Sequence, residues 1–245
     1  MIPIFRKIRK KMADDNRPLK YARYAIGEIL LVVIGILIAL QINTWNEERK
    51  AKIYEYTLKK EIYNSLLEDI KSVNGVIDGQ KRIIASCDQL IECLSKDIVK
   101  EDSINYLFSN AHFFWGTPVK TNAYETAKLY GMHFFKNDST RYFITEIFES
   151  DLRMVRESEK RQHDYYYNVA LPILTEKFAQ ANVLPKGLQP MIPHNLQELK
   201  TDKYYLNVLK TTFYMRGVDL YFQENLISKM VKAKESLELE MELYE

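Results

Sequence analysis

One acidic residue interrupts a long apolar segment. It places an ionisable carboxyl group where such a group is unusual. Glu28 is the fourth residue of AIGEILLVVIGILIALQI, residues 25–42, where Gln41 is the other strongly polar residue. Carboxylates inside a membrane are costly, so they usually carry protons, pair with another group or line a helix contact. Because Glu28 is only four residues inside the run, we expect its side chain to reach the headgroup region. A proton relay at mid-membrane would require a group that lies deeper.

Two small residues share one side of this segment with Glu28. Gly35 and Ala39 form a small-xxx-small pair, which lets two helix backbones approach closely. Glu28 precedes Gly35 by seven residues, which places it about 20° from the same helix face. The pattern predicts a contact face of Glu28, Gly35 and Ala39 for self-association or for docking on another membrane protein. A lipid-facing helix that tolerates its glycine remains an equal alternative.

The thiols and imidazoles do not form a recognisable catalytic or metal-binding pattern. Cys87 and Cys93 differ by about 240° of helical rotation, so they cannot pair within one helix. Cys87 fits a small buried thiol, whereas Cys93 is either free or a crosslink between subunits. Glu159 and His163 are one turn apart and are expected to form a surface pair.

Motifs typical of enzymes and metal sites do not occur in the sequence. The four histidines are scattered, and none belongs to a Glu-x-x-His or H-E-x-x-H element. Neither a phosphate-binding glycine loop nor a G-x-S-x-G element is present. We therefore expect no catalytic residue, no cofactor and no metal, and a protein that is not an enzyme.

The element that must position Glu28 is predicted to be a membrane-spanning helix. Its apolar run is 18 residues long and at about 1.5 Å per residue covers roughly 27 Å, enough for the hydrocarbon core. Tyr21 and Tyr24 precede the run and Trp45 follows it, as interfacial anchors do. A signal peptide would have a shorter apolar region and a small-residue cleavage site. We assign residues 21–45 to a transmembrane helix, with the lipid bilayer as a partner.

Charge is distributed unevenly around this helix. Residues 1–23 carry a net charge of +6, whereas the whole chain carries +2. The positive-inside rule places the N-terminus in the cytoplasm and residues 46–245 outside it, which in a bacterium is the periplasm. Residues 1–20 are expected to form a basic amphipathic segment on the inner leaflet, or a disordered basic tail. Because the rest of the chain has no basic stripe, no nucleic acid is expected as a partner.

Beyond the span, apolar residues recur with alternating spacings of four and three. This period predicts one long helix with a coiled-coil-like seam over residues 46–98. Lys59 and Gln80 interrupt the seam without shifting its phase. Gly75 and Gly79 alternatively indicate a hairpin turn between two helices. The preserved phase favours one helix, with a bend at the glycines.

Four more helices are expected, with starts marked by capping residues. They run from Asp102–Ser103 to about Phe113, from Thr121 or Asn122 to Gly131, from Asp138–Ser139 towards Phe178, and from Thr201 or Asp202 onwards. Pro172 is expected to kink the third of them, and the proline-containing residues 181–200 to form a loop. The predicted fold class is all-α: an N-terminal transmembrane helix followed by an antiparallel bundle of long helices.

Residues 21–50, which contain YAIGEILLVVIGILIALQINTWNEERK, resemble the N-terminal signature of an uncharacterised family of bacterial single-span membrane proteins. The similarity continues through AYETAKLYG and DSTRYFITEIF and through the last helix. It departs at Met132–Phe135, where the family has small or polar residues. The resemblance implies an inner-membrane anchor with a helical periplasmic domain, and it brings no known activity or site residues.

These features predict a non-enzymatic single-span inner-membrane protein whose periplasmic bundle is a scaffold or adaptor. The expected partners are a second copy of the chain or another membrane or periplasmic protein. An accessory subunit of an energised membrane complex, with Glu28 as the working carboxylate, is the alternative. Ligand sensing by the bundle is a further alternative.

Overall fold

The computed structural model describes residues 18–96, 101–179 and 189–242, with backbone alone for residues 18–21 and 101–103. Most of the predicted basic segment, residues 1–17, lies outside the described residues. The described chain falls into two units, with the boundary between Glu55 and Tyr56. Its regular elements are helical, apart from one isolated bridge between Phe178 and Pro193. The all-α prediction is confirmed.

The helices are numbered in chain order. They are α1 (Pro18–Lys96), α2 (Glu101–Ala111), α3 (Asn122–Tyr130), α4 (Asp138–Glu146), α5 (Leu152–Tyr165), α6 (Leu171–Lys177), α7 (Leu196–Leu199) and α8 (Lys203–Glu242). A 3-10 turn, Met132–Phe134, follows α3. Two π turns, Ile147–Asp151 and Tyr166–Ala170, join α4, α5 and α6. We call this continuous helical segment, residues 138–177, the middle helix.

Helix α1 passes both glycines of the predicted turn without a break. The prediction of one helix beyond the apolar run is confirmed as far as Lys96, and the hairpin alternative is wrong. Gly79 has a different role, because a Cβ atom there would lie 1.9 Å from a ring carbon of Trp115. The indole therefore packs directly on the backbone of α1, and glycine is required by this close approach.

The two polar residues that interrupt the seam of α1 both bind α8. Lys59 is fully buried, and its Nζ lies 2.8 Å from Glu240 Oε1. Gln80 is also buried, and its Nε2 donates to the carbonyl of Arg216 over 3.2 Å. Since the numbers rise on α1 while they fall on α8, the two helices are antiparallel.

The middle helix packs on α8 in the same antiparallel sense. Lys229 donates to Asp151 Oδ1 over 3.0 Å, and Gln162 donates to the carbonyl of Met215 over 3.0 Å. The middle helix and the second half of α1 therefore run parallel to each other and antiparallel to α8. This arrangement is the predicted antiparallel bundle of three long helices, with α2 and α3 inserted between the first two.

The middle helix is less regular than its sequence suggests. Its N-cap is Asn137, one residue before the predicted start, and the Asn137 side chain accepts from Ser139 N over 2.8 Å. Near Pro172 the helix forms a π turn, in which Leu171 N–H donates to the Tyr166 carbonyl. Since proline has no N–H to continue an α-helical ladder, the irregularity predicted at Pro172 appears as this wider turn just before it.

Two separate apolar cores fill the second unit. The first contains apolar residues of 58–77, 124–155 and 226–237, and the second contains those of 83–94, 104–111, 170–178 and 191–209. On each long helix, one to three buried polar residues lie between the two cores. These polar residues form the part of the interior with the most varied chemistry.

Candidate functional site

Within the part of the chain that the structure describes, the apolar part of α1 is not covered by other protein segments. Its large apolar side chains from Ile26 to Ile42 are 44–68% exposed. The mean hydropathy of the most apolar window is 2.6, and none of that window is buried. Within the described residues, α1 is the one helix long and apolar enough to cross a membrane. Exposure of this much contiguous apolar surface to water would be strongly unfavourable.

The predicted contact residues lie along this exposed part of α1. A Cβ atom on Gly35 would meet nothing within 4 Å, and Ala39 is exposed. Glu28 is half-buried. The surface over Gly35 and Ala39 is thus open to a second helix, and the contact face remains a prediction.

The predicted interfacial residues lie at the two ends of the run. Trp45 is 64% exposed and Tyr24 is half-buried. The Tyr21 side chain lies outside the described part of the chain. Their role as headgroup anchors also remains a prediction.

A second candidate site, missed by the sequence patterns, lies between the two apolar cores. We call it the polar layer. Its buried members are Gln80 on α1, His112 after α2, Ser158 and Gln162 on α5, and Arg216, Asp219 and Gln223 on α8. Spacings of four on α5, and of three and four on α8, place each set on one helix face. Buried polar side chains of this kind require hydrogen-bond partners, and many of them use one another.

Asp219 is the main acceptor of the layer. Ser158 Oγ donates to one of its carboxylate oxygens and Gln162 Nε2 donates to the other. Burial raises the pKa of Asp219 to about 6, and the Ser158 hydrogen bond and the charge of Arg216 only partly oppose this shift. The ionised form of a carboxyl group is therefore less stable at this position than in water.

Arg216 is buried, and its close contacts in the described structure are a backbone carbonyl and an aromatic ring. It is 5% exposed, and its Nη2 donates to the carbonyl of Phe113 over 2.6 Å. Its guanidinium carbon lies 5.3 Å from the centroid of the Phe114 ring, a cation–π contact. Among the described residues, no Asp or Glu oxygen lies within 4.0 Å of the guanidinium, and Asp219 acts on it through space. Burial lowers the pKa of Arg216, and the charge of Asp219 partly restores it.

His112 is neutral inside the layer. Burial and then the charge of Arg216 lower the pKa of His112 to about 3. Its Nε2 lies 3.4 Å from the Tyr205 hydroxyl. Its Nδ1 has no hydrogen-bond partner in the described structure. His112 therefore acts as a polar contact rather than as a charge, and as a general base it would be very weak at neutral pH.

The two cysteines are free thiols. Cys87 is fully buried, and its Sγ lies 3.8 Å from the Ala111 carbonyl. Burial raises the pKa of Cys87 to about 12, so the thiol is unreactive at neutral pH. The predicted small buried thiol is confirmed. Cys93 is half-buried, and its use as a crosslink between subunits remains a prediction.

Glu159 does not form the predicted surface pair with His163. It accepts hydrogen bonds from Thr117 N over 2.7 Å and from Thr117 Oγ1 over 2.6 Å. Gln223 Nε2 donates to the same Thr117 hydroxyl over 3.1 Å. The ring of His163 instead packs beside Tyr167, at 4.5 Å between centroids. The prediction was wrong because the loop after α2 places two hydrogen-bond donors of Thr117 next to Glu159. The sequence of α5 alone does not reveal this contact.

A small cavity opens beside the polar layer. It measures about 20 Å³ and is lined by His112, Gln162, Tyr165, Tyr166, Ala170, Thr212, Met215 and Arg216. This is room for about one water molecule. No group of three or more metal-ligating side chains occurs among the described residues. In this arrangement the layer can fix three helices by specific hydrogen bonds and can hold a very small guest.

The chain matches one family model over more than half of its length. The model is that of a family of unknown function (DUF6090), and it covers residues 28–168. The match begins at Glu28 and contains the polar-layer residues of α1 and α5, while α8 lies beyond it. No curated protein and no solved structure matches the chain significantly. The expectation of an uncharacterised family is confirmed.

Proposed function

We propose that this chain, which belongs to the family of unknown function (DUF6090), is a single-span membrane protein whose helical domain, residues 46–245, binds protein partners or itself. The observation that carries this proposal is an exposed apolar stretch of α1 that is followed in the sequence by a domain with its own closed cores. A membrane would cover the apolar stretch, and the helical domain would then act through its own surface.

The surface of α8 supports a binding role. Three tyrosines project from it with large exposed fractions: Tyr204 at 76%, Tyr214 at 70% and Tyr221 at 62%. Tyrosine is enriched in protein interfaces, because one rigid side chain supplies both apolar area and a hydrogen bond. Tyr214 and Tyr221 border a mainly apolar groove of about 330 Å³ that also includes Gly217. A partner helix or loop is the kind of occupant that such a groove accepts.

The charge distribution supports an orientation for the domain. The basic residues before the span favour a cytoplasmic N-terminus by the positive-inside rule. The domain then lies on the outer side of the inner membrane, which is the bacterial periplasm. Scaffold, adaptor and accessory subunit are the roles consistent with such a domain.

Site-specific photocrosslinking in intact cells tests the partner role. Benzoylphenylalanine replaces Tyr214 or Tyr221, and the same residue replaces the exposed Arg153 of α5 as a control. We expect discrete adducts at the two α8 positions, identified by mass spectrometry, and none at residue 153. If neither α8 position yields an adduct, or if all three positions yield the same set, α8 is not the binding surface. Absence of adducts from every exposed helix face would overturn the scaffold proposal.

The alternative function, an accessory subunit that uses Glu28, predicts a different result. A subunit of an energised complex uses the carboxylate, so Glu28→Gln would abolish its activity while its complexes still assemble. Under our proposal the same variant keeps both its crosslinked partners and the cellular phenotype of the wild-type chain. Comparing the two readouts in one strain separates the hypotheses.

A further inference from the structure

Two buried nitrogens without partners belong to residues that line the same cavity. His112 is 6% exposed and Arg216 is 5% exposed. His112 Nδ1 and Arg216 Nε have no hydrogen-bond partner in the described part of the chain. Both residues line the cavity of about 20 Å³ beside the polar layer. Leaving two such groups unmatched in a protein interior costs roughly 1–3 kcal/mol each, so a guest that matches both would be strongly favoured.

The hydrogen-bonding roles of these two nitrogens define what the guest must offer. The Nε of a guanidinium is always a donor. His112 is neutral, and Tyr205 lies 3.4 Å from its other nitrogen, Nε2. The contact with Tyr205 fits either tautomer of the ring. In the tautomer that our proposal requires, the Tyr205 hydroxyl donates to Nε2 and the imidazole hydrogen is on Nδ1, which is then also a donor. Because His112 and Arg216 both line this small cavity, a single acceptor atom bound in it is the simplest partner for the two donors.

The charges around Arg216 favour an acceptor that is negative. Asp219 is the acidic group that acts on Arg216 through space, and its two oxygens accept hydrogen bonds from Ser158 and Gln162 rather than from Arg216. Its charge is also weakened by burial, which raises its pKa to about 6. A buried guanidinium that lacks a contact ion pair is costly unless a counter-ion reaches it.

We propose that the cavity between His112 and Arg216 binds a monovalent anion of halide size, which accepts hydrogen bonds from His112 Nδ1 and Arg216 Nε. The volume of about 20 Å³ fits a monatomic occupant about as large as one water molecule better than a polyatomic one. Chloride is the abundant anion of this size. The bound anion connects the segment after α2 to α8 at the level of the polar layer. This inference does not depend on the proposed function.

Thermal unfolding of the full-length chain in detergent tests the proposal. The probe is sodium chloride, compared with sodium gluconate at the same ionic strength. We expect a Tm about 2–4 °C higher in chloride, the shift for a ligand at several times its dissociation constant. His112→Phe keeps an aromatic ring, somewhat larger than imidazole, and removes the donor, so its Tm should be equal in both salts. Arg153→Gln, on an exposed surface, should retain the full chloride response.

Bromide provides a direct measurement that does not depend on any variant. Crystals of the wild-type chain grown in sodium bromide should show an anomalous peak within hydrogen-bond distance of Arg216 Nε. The proposal is wrong if Tm is equal in the two salts, or if His112→Phe responds to chloride like the wild type. A cavity that contains water but no anomalous peak would overturn it as well.

Discussion

At the scale of single residues, three glycines lie under different structural constraints. Gly79 lies under the Trp115 ring, Gly131 has a φ of +106°, and Gly217 has nothing within 4 Å of its Cβ position. The first is required by a close approach and the second by its backbone conformation. Inside the protein nothing requires the third, although glycine within a helix is unfavourable.

Alanine substitutions should therefore have opposite effects at Gly79 and Gly217. Gly79→Ala forces the Trp115 ring away and should lower the free energy of unfolding by about 1–3 kcal/mol. Gly217→Ala removes backbone entropy from the unfolded chain and should raise it by about 0.5–1 kcal/mol. Denaturant unfolding of the full-length variants in detergent measures both. Stabilisation by Gly79→Ala would contradict the packing of Trp115 on α1.

The raised pKa of Asp219 makes a prediction about pH. A carboxyl whose pKa is higher in the folded than in the unfolded protein stabilises the fold when protonated. That contribution is fully present below about pH 4, the unfolded value, and is lost as pH rises through about 6, the folded value. The wild-type chain should therefore lose stability relative to Asp219→Asn between these limits, by on the order of 1–3 kcal/mol.

Unfolding of the wild type and of Asp219→Asn at a series of pH values measures this difference. Subtracting one curve from the other removes the carboxylates that titrate in both proteins, such as Glu149 and Glu238, whose pKa values are lowered by lysine partners. A difference that stays constant from pH 4 to pH 7 would show that Asp219 does not titrate in this range.

At the scale of helices, a buried ion pair connects α1 to the end of α8. Lys59 Nζ and Glu240 Oε1 are 2.8 Å apart, and Lys136 N also donates to Glu240. Removing one member of a buried pair leaves the other charge uncompensated, which typically costs 3–5 kcal/mol. Lys59→Met should therefore destabilise the chain by about that amount.

A double variant separates the charge from the packing. Lys59→Met with Glu240→Leu removes both charges and should recover most of the loss, because apolar replacements of buried pairs are often neutral. Thermal or denaturant unfolding of the four proteins in this cycle measures the coupling. If the double variant is as unstable as the sum of the single ones, the two side chains do not act as a pair.

The helices were more predictable from the sequence than the site. The continuous α1 follows from a seam whose phase survives Lys59 and Gln80, since a period of 3.5 is a local property. The polar layer depends on contacts between residues about sixty to one hundred and thirty positions apart, such as Gln162 with Asp219 and Gln80 with Arg216. Patterns within one helix carry no information about such partners. Such patterns do show where a polar residue interrupts an apolar helix face, and they mark Gln80 in this way.

At the scale of the whole molecule, the uneven charge predicts a topology. A reporter that is active only outside the cytoplasm, fused after Glu245, should be active, because the +6 segment before the span is retained inside. Reversing the charge of that segment, by replacing its lysines and arginines with glutamate, should reduce the reporter activity. An inactive reporter on the unaltered chain would place the helical domain in the cytoplasm.

The polar layer also has a consequence for how the long helices find their alignment. Apolar residues that repeat every three or four positions would pack almost as well if α8 slid along its neighbours by seven residues. Such a slip would move Arg216 and Asp219 out of reach of Phe113, Ser158 and Gln162 and leave them unmatched among apolar side chains. The layer thus penalises the competing alignments that a uniform apolar seam would allow. We expect variants with an apolar layer to remain helical and compact, while sampling several alignments of α8.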